Sequence, residues 1–596
     1  MGRFLITNNI NIFTFNHEIN ISEGFSRFDI NRIDELHIAV YSKKNIKSCN
    51  YYKSSNSGYI FTTGSIIYKD SRLNETLKDI YRDFDGNIEK IQINSFGSYC
   101  IFIYKEGKAY LFTDKFNYYN VYFFNTNNLY ISNSLANAAI YIDSLEIEEF
   151  NLIENSLLLE VIGDETIFKN IKRLYGNQHI VYEQKKMFIN NHLWKVNKYN
   201  YSGRSIDELI NEFSKKVSQY AQKIRSVYGE NIILQQTGGL DSRSIQAAFM
   251  STGKVLDHTY GIGNSLITNT LTNDYEYNIA FQKRYHTKFQ ILNWKSDISN
   301  DVKSWSDSFK RYGFFFVKYG GSKEFFNEYA TNKIDYPKMI LLGDLGENLK
   351  LREWASKQPS NTFTISFIFD DYYQKRLSIN NKCYTNYEKF RERYINKLNL
   401  YSKLFGLNPE TGISVQDFDL FRHIHAKESD SLYSNLINEF THSILFFGIP
   451  ELLEFLWSIP YEYRRNSRFQ ILLIKKLQEE LLEIPIFSHC QEKIIKPDYS
   501  IESTNKDVVK VFEKVKRKSP SLFKAFAKIY RYFYPKEQDR LKKKMEQLLN
   551  NSLLDLNILD TKHFGSDTKR LVIYTQYLYG IKIIKFIRQN GSIKIN

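Results

Sequence analysis

The stretch LQQTGGLDSRS, residues 234–244, decides how the rest of the chain is interpreted. It places Gly238 and Gly239 between an apolar run and a helical pattern, in a chain with only 27 glycines among 596 residues. Glycines permit a positive φ and let backbone N–H groups come close to an anion. The start of the following helix adds a partial positive charge. The stretch therefore predicts a phosphate-binding loop, and the alternative is a tight strand–helix turn capped by Asp241.

Asp241 and Ser242 lie in the first turn of the predicted helix. A carboxylate at that position is favourable beside a phosphate only if a cation accompanies the phosphate. The pattern therefore also predicts Mg²⁺, a hard cation that prefers oxygen ligands.

Residues 1–198 are predicted to form a domain of stacked β-sheets. Short β-rich runs are separated by Gly, Asn and Asp turn signals, as in YIFTTGSIIY (59–68), and KEGK (105–108) indicates a hairpin turn.

Strand and helix patterns alternate in residues 199–500, which predicts a parallel sheet with helical crossovers. Asn273, with Glu276 three residues later, has the pattern of a helix-starting capping box. The chain is predicted to be mainly helical from about residue 360 to its end. The predicted strands lie at IILQ (232–235), KVLDHTYGI (254–262), FQILNW (289–294) and PKMILLG (337–343).

Six segments resemble the asparagine synthetase family in order and spacing. TGGLDS (237–242) is similar to the family's SGGLDS pyrophosphate loop, and LLGDLGENL (341–349) to its second phosphate loop, G-E-G-x-D-E. The other similar segments are DHTYGIG (257–263), NDYEYNIAFQKRYH (273–286), FFGIPELLEFLWSIPYEYR (446–464) and EKIIKP (492–497).

The first domain also resembles this family, at 96–124 and 164–182, where its glutaminase domain ends and the hinge follows. A glutaminase of this type needs Cys as the first residue of the mature chain, whereas this chain has Gly2. The resemblance is therefore to the branch without glutaminase activity, such as β-lactam synthetases and lasso-peptide cyclases.

The resemblance implies a fold and a chemistry. The fold is α/β: an N-terminal Ntn-hydrolase-like stacked-sheet domain, then a PP-loop ATP pyrophosphatase domain with a helical C-terminal part. ATP and Mg²⁺ are the implied cofactors, and the product is an amide formed through an acyl-adenylate, with AMP and pyrophosphate released. The residues implied to bind ATP are Gln235, Thr237, Gly238, Gly239, Leu240, Asp241, Ser242, Ile262 and Gly343.

Asp241 and Glu347 are implied to hold Mg²⁺, while Lys493 would stabilise transition-state charge and Asp344 would steer or accept a proton. The second loop departs from the family at Leu345, which replaces Gly, and at Asn348, which replaces Glu. Two alternatives stay open: asparagine synthesis with free ammonia, and a non-catalytic ATP-binding partner in a complex.

The remaining expectations come from composition. The four scattered cysteines favour a reduced, cytoplasmic compartment, and no apolar run is long enough for a membrane span. Residues 501–596 form a basic extension with 21 Lys and Arg against 9 Asp and Glu, which fits an acidic partner or a solvated face. We expect its last helix, residues 574–589, to pack onto the synthetase domain.

The expected partners are a carboxylate substrate, with a peptide as one candidate, and an amine donor. A homodimer is a further candidate, and no nucleic acid is expected.

Overall fold

The computed structural model describes most of the chain up to residue 503. The described residues are 2–22, 25, 27–44, 50–55, 57–69, 71, 75–158, 160–176, 178–191, 196–263, 268–294, 339–374, 387–484, 486–488, 491–495, 501–503, 581, 584, 585 and 588. The predicted extension at 501–596 therefore lies almost entirely outside them. Among these residues there is no helix long and apolar enough to cross a membrane.

The N-terminal part of the chain forms two six-stranded antiparallel sheets, with strand orders β10–β8–β9–β1–β3–β2 and β12–β11–β7–β6–β5–β4. The strands are β1 (Arg3–Thr7), β2 (Arg27–Ile33), β3 (Leu36–Tyr41), β4 (Tyr51–Lys53), β5 (Tyr59–Tyr68), β6 (Ser95–Lys105), β7 (Lys108–Thr113), β8 (Tyr122–Asn125), β9 (Leu129–Ser132), β10 (Lys172–Arg173), β11 (Gln178–Glu183) and β12 (Lys186–Asn191). The helices of this part are α1 (Ile10–Ser22), α2 (Thr76–Asp83), α3 (Ile88–Ile93), α4 (Leu135–Tyr141) and α5 (Glu149–Leu158).

The two sheets stack face to face, because alternate side chains of each point into a shared apolar layer. Ile6 and Val40 of the first sheet lie in the same buried cluster as Phe61 and Phe102 of the second. Helices cover the outer faces: α1 and α4 on the first sheet, and α2 and α3 on the second. The predicted stacked-sheet architecture is confirmed.

The KEGK turn is confirmed in register. Lys105 pairs with Lys108 across the hairpin, and the two central residues, Glu106 and Gly107, have φ of 54° and 78°. Two consecutive positive φ angles are typical of the type I′ turn, whose twist matches that of the flanking strands.

The next part of the chain builds a five-stranded parallel sheet, ordered β15–β14–β13–β16–β19, as the alternating pattern predicts. Its strands are β13 (Ile232–Gln235), β14 (Asp257–Gly263), β15 (Phe289–Trp294), β16 (Met339–Leu342) and β19 (His442–Leu445), and its first helices are α6 (Ile206–Tyr228), α7 (Leu240–Met250) and α8 (Thr268–Tyr285). The chain runs outward from β13 to β15 and then returns to the other side of β13 with β16. In such sheets the crevice at this reversal, at the carboxyl ends of the strands, is where ligands bind.

Most of the described chain after residue 352 is helical, but two small antiparallel sheets interrupt it. The helices are α9 (Glu353–Ser356), α10 (Ile365–Phe367), α11 (Tyr387–Leu404), α12 (Phe418–Phe440), α13 (Pro450–Ser458), α14 (Tyr461–Arg464) and α15 (Arg468–Gln478). The small sheets pair β17 (Thr362–Phe363) with β18 (Ile413–Ser414), and join β20 (Ile486–Ser488), β21 (Gln491–Ile495) and β22 (Ile501–Ser503). The prediction of a mainly helical region is therefore confirmed for the described residues, except at these short strands and at β19.

The predicted helix start at Asn273 is also wrong. Helix α8 includes Thr268, so Asn273 lies inside it. The neighbouring Asp274 and Asn278 side chains bond to backbone groups of the loop after β13, rather than capping their own helix.

Helix α12 joins the two domains through polar contacts. Arg3 forms an ion pair with Glu439 at 3.2 Å, Lys43 donates to the Asn438 carbonyl at 2.6 Å, and Asn435 donates to the Tyr118 carbonyl at 2.6 Å. A buried lysine that is hydrogen-bonded in this way is costly to separate from its partner, so the contact favours one fixed arrangement of the domains.

The described residues of the C-terminal segment pack on the first domain, not on the parallel-sheet domain as expected. Ile581 and Ile584 are fully buried in the cluster formed by β1, α1 and α4. Arg588 donates hydrogen bonds to four carbonyls at the end of α4, those of Ala139, Ile140, Ile142 and Asp143. A guanidinium at this position satisfies carbonyls that a helix end leaves unpaired.

Candidate functional site

The loop at Gln236–Gly239 follows β13 at the point where the strand order reverses. Leu234 of β13 pairs with Leu341 of β16, so the loops that follow these two strands emerge side by side at the carboxyl edge of the sheet. The first loop leads directly into α7, whose N-terminus therefore points at the same crevice. The topology brings together the two segments that the sequence predicts as phosphate loops.

The first loop is held closed by its own side chains. Ser242, buried in the first turn of α7, accepts a hydrogen bond from the Thr237 amide at 3.1 Å and donates to the Thr237 carbonyl at 3.1 Å. Arg243 is fully buried and donates to the Gly238 carbonyl at 3.2 Å. The Gly238 amide donates to the Asp274 carboxylate at 2.7 Å. A carboxylate thus occupies one of the backbone donors predicted for a phosphate.

The two glycines of this loop are not needed for a left-handed backbone. Neither has a positive φ, and Gly239 has φ −76° and ψ 172°. The expectation that these glycines supply a positive φ is therefore wrong. A Cβ added at Gly239 would meet only the Thr237 hydroxyl, at 3.6 Å. The chain therefore leaves open space above Gly239, which a close approach of a ligand to the backbone would use.

The second loop packs directly on the first turn of α7. A Cβ at Gly343 would lie 3.4 Å from the Ser242 Cβ, and one at Gly346 would lie 2.6 Å from the Asp241 Cβ. Gly346 begins a 3₁₀ turn, Gly346–Leu349, that carries Glu347. Asp241 and Glu347, the predicted Mg²⁺ ligands, are thereby brought to the same crevice.

Leu345 adopts a left-handed conformation, with φ 69° and ψ −4°. At this position the family that the sequence resembles has glycine. A residue with a Cβ is strained in the left-handed conformation. The Leu345 side chain is 2% exposed and lies in the main apolar core. Burial of the side chain offsets the backbone strain, which explains how the loop keeps its shape without the glycine.

Both predicted metal carboxylates are paired with cations from the segment just after the second loop. The Lys350 Nζ lies 3.2 Å from each Asp241 oxygen, and Gln470 also donates to Asp241, at 2.8 Å. Arg352 donates to Glu347 at 2.9 Å. Burial acts to raise the pKa of Glu347, but the charge of Arg352, a backbone hydrogen bond and the charges of Lys350 and Arg422 together outweigh it and lower that pKa.

A buried ion pair supports this arrangement from behind. Arg464 and Asp419 pair with almost no exposure, and Arg352 also approaches Asp419, at 3.4 Å. Asn348, which stands where the family has Glu, accepts a hydrogen bond from the Trp457 indole at 3.2 Å. Polar contacts therefore fix the second loop, and the Asn348 side chain has a structural role in them.

The two carboxylates supply the oxygen ligands that Mg²⁺ prefers, so the donor chemistry fits the ion. Among the described residues, no group of three or more His, Cys, Asp or Glu side chains is arranged to hold a metal. Mg²⁺ usually keeps several waters and is bound through one or two carboxylates plus substrate phosphates, which agrees with this sparse set.

For the other predicted site residues, the structure gives the position in the fold but not a contact with a loop. Gln235 ends β13 beside Thr259, Leu240 begins α7, and Asp344 is exposed in the second loop. Ile262 lies in β14 and Lys493 in β21, and the side chains of these two residues lie outside the described part of the chain. Lys493 is therefore not related here to either loop.

The pocket around Gly2 is filled. Its amide donates to the Tyr41 carbonyl at 3.0 Å, and a Cβ at Gly2 would lie 2.7 Å from the Phe25 ring and 2.9 Å from the Ser42 carbonyl oxygen. The side chain that a glutaminase nucleophile needs has no room here. Cys100 offers no replacement, because burial raises the pKa of its thiol well above the ordinary value.

The site also contains residues that sequence reasoning missed. Lys350, Arg352, Gln470 and Asp274 all touch one of the two loops. For Lys350 and Arg352 the signal was their alternate spacing after the second loop, which places both on one face of an extended segment. Gln470 and Asp274 reach the site from distant elements, and no local pattern marks them.

Comparison with known proteins does not assign a family. No protein-family model matches the chain, and no curated protein matches it in sequence.

The glutamine phosphoribosylpyrophosphate amidotransferase of B. subtilis, solved with ADP and GMP, is 9% identical to this chain. That match covers 50% of this chain and 81% of the other, with a TM-score of 0.24. The U34-tRNA thiolase NcsA of Methanococcus maripaludis is 13% identical over 59% and 83%, with a TM-score of 0.19. The NMN synthetase of Francisella tularensis is 14% identical over 39% and 93%, with a TM-score of 0.15. Similarity at this level assigns neither a family nor an activity to the chain.

Proposed function

We propose that the chain is an ATP-dependent ligase that activates a carboxylate as an acyl-adenylate and transfers the acyl group to an amine, without hydrolysing glutamine. The observation that carries this proposal is the packing of Gly343 and Gly346 directly on Ser242 and Asp241, at the reversal of the parallel sheet. Two loops, a helix N-terminus and two carboxylates converge where ligands bind in sheets of this kind.

The chain's own residues would position the nucleotide. The N-terminus of α7 would face the phosphates, with open space above Gly239 for close approach, while the Thr237 and Gly238 amides stay bonded to Ser242 and Asp274. Asp241 and Glu347 would hold Mg²⁺, which supplies positive charge beside the leaving pyrophosphate when bound. A substrate carboxylate oxygen would then attack the α-phosphorus, and pyrophosphate would leave.

The second step would form the amide. The amine would attack the acyl carbon of the adenylate, lose a proton and release AMP. Asp344, exposed in the second loop, is our candidate to accept or steer that proton, and Lys493 is our candidate to stabilise the developing negative charge. The amine would come from the substrate or from solution, since the Gly2 pocket has no room for a nucleophile.

A non-catalytic ATP-binding partner is the second candidate, and one observation favours it. Lys350 and Arg352 already neutralise the two carboxylates that a catalytic metal would need.

Asparagine synthesis with free ammonia is the narrower form of the first candidate. The domain limits at 198 and 500, a cytoplasmic location, a homodimer and an acidic partner for the tail also remain proposals.

The test is product analysis with purified protein, ATP and Mg²⁺. A panel of carboxylates and amines, including aspartate with ammonia and several peptides, would be screened for AMP and pyrophosphate in equal amounts. Carboxylate-dependent formation of both supports the ligase, and its dependence on aspartate plus ammonia would identify asparagine synthesis. ATP binding without either product across the panel would favour the non-catalytic partner, and the absence of ATP binding would contradict both candidates.

A further inference from the structure

Lys350 forms an ion pair with Asp241, one of the two carboxylates proposed to hold Mg²⁺ at the nucleotide site. We propose that Lys350 is a polyphosphate-binding residue, which leaves Asp241 when the nucleotide binds and supplies charge that would otherwise come from Mg²⁺. This inference rests on the proposed function and deepens it, because it concerns how the same site neutralises its ligand.

The geometry places Lys350 on the crevice side of its segment. Its backbone is extended, with φ −125° and ψ 149°, and it directly follows the 3₁₀ turn of the second loop. Neighbouring side chains in an extended segment point to opposite sides. Leu351 is buried in the core, while Lys350 and Arg352 both reach carboxylates of the site.

Lys350 and Arg352 differ in how firmly they are held. Arg352 bonds Glu347 at 2.9 Å and approaches the buried Asp419 at 3.4 Å. In the described part of the chain, the ion-pair partner of Lys350 is Asp241, and the Lys350 side chain is 36% exposed. A flexible ammonium in one partly exposed ion pair can change partner at small cost. Lys350 is therefore the cation free to turn toward a ligand.

A polyphosphate on the first loop would compete with Asp241 for this ammonium. The Lys350 Nζ is 3.2 Å from both Asp241 oxygens, and Asp241 lies in the first turn of the helix whose N-terminus faces the crevice. A phosphate at that N-terminus carries more charge than the carboxylate and lies within the same few ångströms. Transfer of Lys350 to the phosphate would also release Asp241 to hold Mg²⁺, which, when present, would supply part of the charge that Lys350 supplies without it.

The experiment measures ATP and pyrophosphate binding by isothermal titration calorimetry, once in EDTA and once in excess Mg²⁺. The variants are Lys350→Gln, Lys350→Arg and, as a matched control, Lys357→Gln, an exposed lysine of the same segment. Melting temperatures check that each variant is folded.

We expect the wild-type protein and the Lys350→Arg and Lys357→Gln variants to bind in EDTA. Lys350→Gln should bind about tenfold more weakly there, while its affinity in Mg²⁺ changes less, as expected for loss of one charged contact to phosphate. If Lys350→Gln binds as the wild type does under both conditions, or is weakened equally under both, the inference is overturned while the proposed function stands. If the wild-type protein binds neither ligand under either condition, the proposed function fails as well.

Discussion

The Gly2 pocket of the first domain and the glycine loops of the second correspond to the two reactive places of the family that the sequence resembles. The two places differ in whether a side chain could be added there. At Gly2 a side chain would collide with the Phe25 ring at 2.7 Å. At Gly239 a side chain would meet only a hydroxyl at 3.6 Å. The first position is closed by packing, and the second is kept open.

The contrast shows that glycine can serve two different purposes in one chain. Gly2 and Gly346 lack side chains because neighbouring atoms occupy the space, so these glycines serve the fold. Gly239 has a backbone that any residue could adopt and no neighbour that excludes a methyl group, so packing does not explain it. A glycine that the fold does not require is the stronger pointer to a ligand.

The largest effect we expect comes from Asp241→Asn. Asp241 has structural partners in Lys350 and Gln470, but asparagine keeps an oxygen for the Gln470 bond. Loss of the partly exposed ion pair should cost about 0–1 kcal/mol of stability. AMP formation should fall about 10²-fold or more, as for removal of a preorganised charge at a reacting phosphate. Normal turnover with an unchanged melting temperature would show that the open region is not the phosphate site.

The parallel sheet beneath the loops should respond to acid through His258. Burial, partly opposed by a hydrogen bond and by Asp257, lowers the pKa of His258 from 6.5 to about 4. The folded state therefore favours neutral His258, and its stability falls as pH decreases from 6.5 toward 4, because the unfolded chain binds the proton first. Relative to neutral pH, the loss at pH 4 should be about 3 kcal/mol.

Melting temperatures of the wild type and His258→Gln between pH 4 and 7 check this. The variant should lose part of the acid sensitivity that the wild type shows. Identical pH profiles would mean that His258 does not titrate as its burial requires.

Gly2→Cys restores the residue type of a glutaminase and should not restore the activity. The added side chain must displace the Phe25 ring or the Ser42 carbonyl, an overpacking that we expect to cost about 1–3 kcal/mol of stability. Glutamate release from glutamine, measured against a blank without enzyme, should stay absent in both proteins. Glutamate production by the variant would show that the first domain has room for a nucleophilic side chain at residue 2.

The smallest change in stability is expected for Gly239→Ala, with Gly346→Ala as its matched control. A methyl group at position 239 meets open space and a compatible φ of −76°, so the melting temperature should hardly change. ATP affinity should fall about tenfold, because the methyl group occupies the approach to the backbone amides.

At Gly346 the same substitution lies 2.6 Å from the Asp241 Cβ and should lower the melting temperature. Equal stability losses in the two variants would remove the distinction between open and packed glycines.

Sequence reasoning worked where the signal is local. The strand Tyr59–Tyr68, the hairpin at Glu106–Gly107 and the alternation around Ile232–Gln235 follow from periodicity and turn chemistry alone. It failed where the contacts of the site come from residues far away in the sequence. Asp274 is a helix residue whose carboxylate bonds to the Gly238 amide, and Gln470 reaches Asp241 from a helix far along the chain.

Two further errors have physical causes. Gly238 and Gly239 suggested a left-handed turn in the first loop, but neither takes a positive φ. The residue that does is Leu345 of the second loop, where burial of its side chain offsets the strain. The closing helix was expected on the second domain, whereas Ile581 and Ile584 fit an apolar face of the first domain. An apolar helix face shows in the sequence that it will be buried but not which surface will cover it.

The central claim is that the two loops together form the nucleotide site while the Gly2 pocket does not. Hydrogen–deuterium exchange of the purified protein, with and without Mg²⁺ and ATP, tests it most directly. We predict slower exchange with nucleotide in peptides covering residues 236–243 and 343–352, and no change in peptides covering residues 2–7. Unchanged exchange in both loops at a saturating ATP concentration, or protection confined to the first domain, would contradict the account.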